Sequence, residues 1–394
     1  MRLGVWMPFG RAAQELAHFR RTVVSRPTAE RLTEAAGAAY VAFQTAEVAR
    51  IERELPLPPA GPAQQFLSVD GAMVPLVGGE WAEVKTLVIG EVQPPVLVRG
   101  EWVIHTRQLS YFSRLIDADT FQRLALVETH RRGVERAGAV GAVTDGSEWL
   151  QKFLDHHCYH AIRILDFPHA GEHLNAVGQG QWGIGSREAQ DWLTAQLHQL
   201  KHVGSEAVLA EVRRLVALHA DPPDWGTDVA YLEKRAPHMQ YPAFQAAGWP
   251  IGDGAVESAN KLVVEARLKG SGMHWARPHV DPMLALRNIV CSDRWDEAWS
   301  QIATTLRQQA QQRRTTRHQQ RHTAPRVEAT PPAPPQTPAT THGITELQGA
   351  RVQPLAAAAT PGEPWRPPAN HPWRHMPVGR ARFKPPAQPT NAKP

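Results

Sequence analysis

The chain has 394 residues, 42% hydrophobic and 21% charged, with 34 prolines and 29 glycines. That length allows two to three domain-sized units with a sizeable core, and the apolar fraction excludes a fully disordered chain. No run of about 18 apolar residues occurs, which excludes a transmembrane helix. The opening MRLGVWMPFGRAAQELAHFRR is helical in pattern and has no small-residue cleavage site, which argues against a secretory signal. Cys158 and Cys291 are the only cysteines, so a disulfide framework and a Cys-based zinc finger are both excluded. A reducing cytoplasm is the expected setting.

The formal charge of +5 conceals a division. From Arg307 onward, 13 Lys and Arg stand against three acids, Glu328, Glu346 and Glu363. The remainder is mildly acidic. A basic tail on an acidic body is the footprint of a protein that meets a polyanion, and equally of a solvated tail.

Residues 1–55 read as helices. Phe9 to Phe19 has helical apolar spacing, and Ser25 can cap a second helix with Pro27 in its first turn. The pair resembles a helix-turn-helix remnant, with a helical hairpin packed on the next domain as the alternative. LPLPPAGP marks a linker over 56–64. QFLSVDGAMVPLV, VKTLVIGEV and WVIHTRQLSYFS alternate as strands and predict a three-stranded antiparallel meander. A helix from about Asp119 to Arg136 leads to GAVGAVTDG, a buried strand ending at Asp145. Residues 147–157 look helical, and AIRILDF is another buried strand. A long helical block, about 170–250, follows. Its Trp182, Trp192 and Trp225 suit a helical core. ESANKLVVEARLKG is a further helix, and the last core helix begins near Pro282, within a segment 251–306.

Three antiparallel strands, then two reached through helical crossovers, predict an α/β fold with a mixed five-stranded sheet. This is the order of a ribonuclease H-like fold, its core opening over 65–169 and interrupted by an all-helical insertion. Residues 307–324 form a basic helix end. Residues 325–394 hold 17 prolines and no periodic apolar face, which predicts a disordered, Pro-rich tail.

Three acids stand at informative positions on this sheet. Asp70 lies in the first strand and Asp145 ends the fourth, and in this fold those strands are adjacent and parallel. Two like charges at neighbouring strand ends are costly unless a cation neutralises them. Glu257 begins the helix after the insertion and would complete an oxygen-ligand site for Mg²⁺ or Mn²⁺. Such a triad would hold two ions about 3.5–4 Å apart, one for the attacking and one for the leaving oxygen. A lone Asp-Gly is normally just a turn, but three acids at matching element ends favour a site.

The blocks SVDGAMVPLVGGEWAEVKTLVIGEV, AVTDGSEWL, ILDFPHAGEHL and GAVESANKLVVEARLKGSGMHW resemble DDE-type insertion-sequence transposases of the ISKra group, which is related to the Mutator-like transposases. The resemblance runs from about Trp6 to Gln312. It implies that Asp70, Asp145 and Glu257 form a DDE triad that binds two divalent metals for DNA strand cleavage and strand transfer. Transposon ends and target DNA would be the partners, met by a homo-oligomer on DNA in the bacterial cytoplasm. Members of the group usually carry a longer N-terminal DNA-binding region, often with cysteine pairs. Its absence here suggests an N-terminally truncated copy.

Asp166 ends the fifth strand and competes with Asp145 for the second position. Asp145 is favoured because its strand adjoins the first. Asp166 with His169 and His173 would then order the rim of the site or contact DNA. The two histidines, four apart and downstream of Cys158 and His160, also have a spacing that a structural zinc site would use, although histidines more often bond locally. Arg267, Lys269, His274 and Trp275 follow the Glu-bearing helix. They suit phosphate contacts and stacking on an unpaired base, or an amphipathic helix whose Lys and Arg face water with Trp275 packed beneath. Arg307, Arg313, Arg314, Arg317 and Arg321 form a strip without acids that suits DNA phosphates. The alternatives to a transposase are an inactive DNA-binding remnant and a metal-dependent nuclease without strand transfer.

Overall fold

The computed structural model describes residues 1–98, 101–219 and 224–323. Three N-terminal helices come first: α1 (Arg2–Trp6), α2 (Phe9–Arg20) and α3 (Arg26–Glu54). Ser25 caps α3 by accepting from the Thr28 N–H at 3.3 Å, with a proline in the first turn. The 29-residue α3 packs along the C-terminal helices described below, in the manner of a helical hairpin lying on the next domain.

A mixed five-stranded sheet forms the centre. Its strands are β1 (Gln64–Pro75), β2 (Trp81–Val92), β5 (Thr106–Arg114), β6 (Ala139–Thr144) and β7 (Ile162–Leu165), in the spatial order β5-β2-β1-β6-β7. β1 pairs antiparallel with β2, and β2 with β5. β1 and β6 are parallel, as are β6 and β7. α4 (Ala118–Arg131) makes the crossover to β6, and α5 (Glu148–His157) the crossover to β7.

The third strand departs from expectation. Glu101–Val103 (β4) folds back on Val96–Val98 (β3) as a separate two-stranded hairpin, and only Thr106–Arg114 joins the sheet. Gln93, whose N–H still reaches the His105 carbonyl, is followed by Pro94 and Pro95, and neither proline has an N–H to continue the ladder. The next helix also stops early. α4 starts at an Asp117 cap, whose Oδ1 accepts from the Thr120 N–H, and ends at Arg131. Gly133 then takes a left-handed turn at φ 62°.

Alternation along the strands makes two apolar layers. Leu67, Val69, Leu87, Ile89 and Phe112 face Phe121 of α4 and Leu150 and Phe153 of α5. Phe66, Val84, Val88, Val143 and Ile164 face the opposite way. Burying each such side chain contributes about 1.5–3 kcal/mol. The second face is covered by the helical insertion and by the segment after it. The insertion comprises α6 (Phe167–Trp182), α7 (Arg187–His202), α8 (Ser205–Val216), α9 (Gly226–Lys234) and α10 (Tyr241–Ala246). Trp182 and Trp192 meet at 5.5 Å and Trp225 is buried, as core aromatics of this block.

After the insertion, α11 (Gly254–Ala259) widens into a π-helical turn, Asn260–Glu265, and ends as α12 (Ala266–Leu268). α13 spans Arg277–Cys291 and begins five residues before Pro282, which lies inside it. There α3 comes so near that a Cβ on Gly37 would collide with the Pro282 carbonyl. α14 runs unbroken over Trp295–Thr323, so the basic end is a continuation of this helix rather than a separate unit. The expected Pro-rich tail lies outside the described residues. No described helix is long and apolar enough to cross a membrane.

Candidate active site

The parallel register of β1 and β6 aligns Leu67 with Ala142. Asp70 lies three residues beyond that pair in β1, and Asp145 directly follows the end of β6. Ser68 reinforces the junction by donating to the Val143 carbonyl at 2.7 Å. Strand alternation puts Asp70 on the same face as Phe66, toward α11 and the insertion. Burial raises the pKa of Asp70, and the charge of Asp145 raises it further. The N–H of Gly71 and the amide of Asn260 work in the opposite direction.

Asp145 sits in a turn held from two sides. Its Oδ1 accepts from the Ser147 N–H at 2.8 Å. Its carbonyl accepts from the Tyr231 hydroxyl of α9. Gly146 follows at φ 76°, and its carbonyl accepts from Nε and Nη2 of buried Arg235 at 2.9 and 2.6 Å. A Cβ on Gly146 would stand 2.5 Å from the Arg235 Nε, so both conformation and space demand glycine. The Asp-Gly pair is thus a turn, and one that presents the acid at a strand end.

Glu257 occupies the first turn of α11, beside β1, but its side chain is 64% exposed and paired with Lys261 at 2.5 Å. Three residues on, Asn260 is only 6% exposed. Its Nδ2 donates to Asp70 Oδ2 at 2.8 Å, while its Oδ1 is buried without a partner. An unsatisfied buried acceptor costs about 1–3 kcal/mol. The π-helical turn starts at this residue. Such wide turns occur frequently at functional sites. Arg287 of α13, fully buried, donates to the carbonyls of Leu262 and Val263 within it and to that of Val5 in α1.

Asp166 is 4% exposed and caps α6. One carboxylate oxygen accepts from the His169 N–H at 2.9 Å and the other from the Asp253 N–H at 2.8 Å. Both oxygens are therefore spent on tying the insertion to the segment before α11. The sequence reading missed Asp253. Its pKa is pushed up to about 7, by burial first and then by the charges of Asp166, Asp70 and Glu257. Asp70, Asp145, Asp166, Asp253 and Glu257 therefore share one electrostatic neighbourhood.

The histidines are occupied elsewhere. His169 pairs with Glu172 at 3.2 Å, and His173 with Asp228 at 2.7 Å while stacked on Tyr231. Among the described residues, no group of three or more His, Cys, Asp or Glu side chains is placed to hold a metal ion. For the histidines this favours local bonding over zinc. For the acids the reason is visible in Glu257, which points to Lys261 and solvent. The donor chemistry still fits a hard divalent cation: the charge of Asp145 adds to the cost of ionising Asp70, and a buried amide oxygen beside Asp70 has no partner.

The residues after α12 divide. Arg267 is 3% exposed, donates to the Gly4 carbonyl and lies between the rings of Phe9 and Trp275. Trp275 is buried as well, and its backbone bridges to the end of β1. Trp275 is packed as the amphipathic alternative has it, whereas Arg267, placed at the surface by either reading, is buried because it bonds the Gly4 carbonyl between two rings. Lys269 pairs with Glu265 near Trp81, and His274 is exposed. Arg307, Arg313, Arg314 and Arg317 are exposed along α14. The side chain of Arg321 lies outside the described residues.

No protein-family model matches the chain, and no curated protein matches it either.

Proposed function

We propose that this chain is the catalytic core of a DDE transposase with a ribonuclease H-like fold, acting on DNA in a divalent-metal-dependent manner. The observation that carries the reading is the electrostatic proximity of Asp70, in β1, and Asp145, at the end of the adjacent parallel β6, with the segment after Glu257 fastened to Asp70 through Asn260. The strand order β5-β2-β1-β6-β7 and the helical insertion ahead of the third acid support the fold assignment. So does the resemblance of the sequence blocks to the ISKra group.

In this reading Asp70 and Asp145 would hold Mg²⁺ or Mn²⁺, with Glu257, paired here with Lys261, as the third ligand. Bound there, the cations supply Lewis acidity for in-line attack on a phosphodiester, first by water and then by the freed 3′-hydroxyl. The chain's own part is to fix the carboxylates. The insertion grips the Asp145 turn through Tyr231 and Arg235, and Asp166 holds the insertion to the segment that leads into α11. No covalent protein–DNA intermediate is required. Exposed arginines on α14 would meet phosphates without reading sequence.

The test is DNA cleavage with Mn²⁺ by wild type, Asp70→Asn, Asp145→Asn and Glu257→Gln, each variant keeping shape while removing charge. Cleavage and a strand-transfer product from the wild type, lost in all three variants, is the expected result. Cleavage without strand transfer would identify a nuclease, and DNA binding without cleavage an inactive remnant. Near-wild-type cleavage by one variant would remove that residue from the triad.

A further inference from the structure

We infer that Asn260 is a positioning residue for the divalent-cation site, fixing both the carboxylate of Asp70 and the helix that bears Glu257. The inference rests on the metal-dependent reading above.

A neutral amide can face a carboxylate in one sense only, with its N–H toward the oxygen. Asn260 does so, donating Nδ2 to Asp70 Oδ2 at 2.8 Å. That bond fixes one oxygen of the Asp70 carboxylate and with it the plane of the group. A hydrogen bond to a ligating carboxylate is how outer-shell partners set ligand orientation.

Three further observations point the same way. Asn260 is buried, so its bond to Asp70 is shielded from competing water. It stands three residues after Glu257, so one contact sets the register of α11 against β1 and with it the approach of Glu257. Its Oδ1 is enclosed without a partner, so the amide is held here at a cost by what its Nδ2 does. The π-helical turn that begins there accommodates this placement, because it changes the helical register between Asn260 and α12.

The experiment measures Mn²⁺ affinity by electron paramagnetic resonance on full-length wild type and on Asn260→Leu, a near-isosteric change without a donor. Thermal unfolding and DNA affinity are followed in parallel. Asn260→Ala, which leaves room instead of an apolar group, serves if the leucine variant does not fold. The expected result is a folded variant with DNA affinity retained and the Mn²⁺ dissociation constant raised about 10–100-fold. Cleavage lost at low Mn²⁺ should return as Mn²⁺ is raised, which a merely structural defect would not allow. Unchanged Mn²⁺ affinity in a folded variant overturns the inference while leaving the proposed function standing. Absence of Mn²⁺ binding by the wild type itself would instead remove the metal-dependent function, and this inference with it.

Discussion

The Tyr231 hydroxyl donates to the main-chain carbonyl of Asp145, joining residues 86 positions apart. Arg235, one turn later on the chain, lies 3.5 Å over the Tyr231 ring and closes on the next carbonyl, that of Gly146. The insertion therefore acts on the acid through its backbone, while the Asp145 carboxylate bonds the Ser147 N–H. Tyr231→Phe should reduce cleavage while costing only about 0.5–1.5 kcal/mol of stability. Arg235→Ala should cost more, about 1–3 kcal/mol, since it strands a buried carbonyl. Urea unfolding beside a cleavage assay separates the two effects. Full cleavage by both folded variants would show that the grip is irrelevant to chemistry.

Asp166→Asn should leave reduced but measurable cleavage. An asparagine can accept one of the two backbone N–H bonds, but its own NH₂ then faces the other donor. The expected loss is about 1–3 kcal/mol, seen as an earlier urea midpoint. Complete loss of activity with Asp145→Asn still active would exchange the roles of the two acids.

Much of this arrangement is legible in the sequence, for physical reasons. The β-branched, alternating runs locate the strands: Asp70 stands inside one because apolar residues continue on both sides, and Asp145 directly after another because the apolar run GAVGAV ends there. Ser25 announces its helix because a hydroxyl before Pro27 has few other uses. Asn260 and Asp253 were not found, since a neutral amide inside ESANK and an acid inside GDG carry no spacing signal of their own. Their meaning comes from what they touch across 190 and 87 residues of chain. Arg267 and Trp275 mislead for the converse reason. Basic and aromatic neighbours have the same composition whether they face DNA or, as here, pack against Phe9. The split of the third strand could have been read from Pro94 and Pro95.

Asp253 gives the metal-free protein a pH dependence. Its folded pKa of about 7 lies above the unfolded value of 3.8. The folded state therefore holds the proton more tightly, and the stability this contributes is full below pH 3.8 and is lost as pH rises through about 7. Asp253→Asn keeps the backbone donor toward Asp166 and removes this group's contribution to the dependence. In EDTA it should be more stable than wild type at pH 8, with the difference shrinking toward pH 4. Urea midpoints at several pH values check this, and a gap that does not widen with pH would contradict it.

Ending the chain after Leu306 removes the exposed Arg307, Arg313, Arg314 and Arg317 together with everything beyond. Affinity should fall for all DNA sequences alike, and the salt dependence should flatten by a slope of about 0.9 for each phosphate no longer neutralised. Mn²⁺ binding should not change. An unaltered salt slope would mean the strip is only solvated, and a loss confined to one sequence would mean that it reads bases.

Two buried guanidinium groups reach the same short helix from the far end of the chain: Arg267 at the Gly4 carbonyl and Arg287 at that of Val5. Arg287 also holds the wide turn that follows Glu257. Residues 2–6 are thus part of the mechanical foundation of the third acid, although they lie about 250 positions before it and near none of the carboxylates. Displacing that first helix would leave two cations stranded in the interior and the Glu257 segment without its brace, so a disturbance at one end of the protein is felt as slackness at its centre.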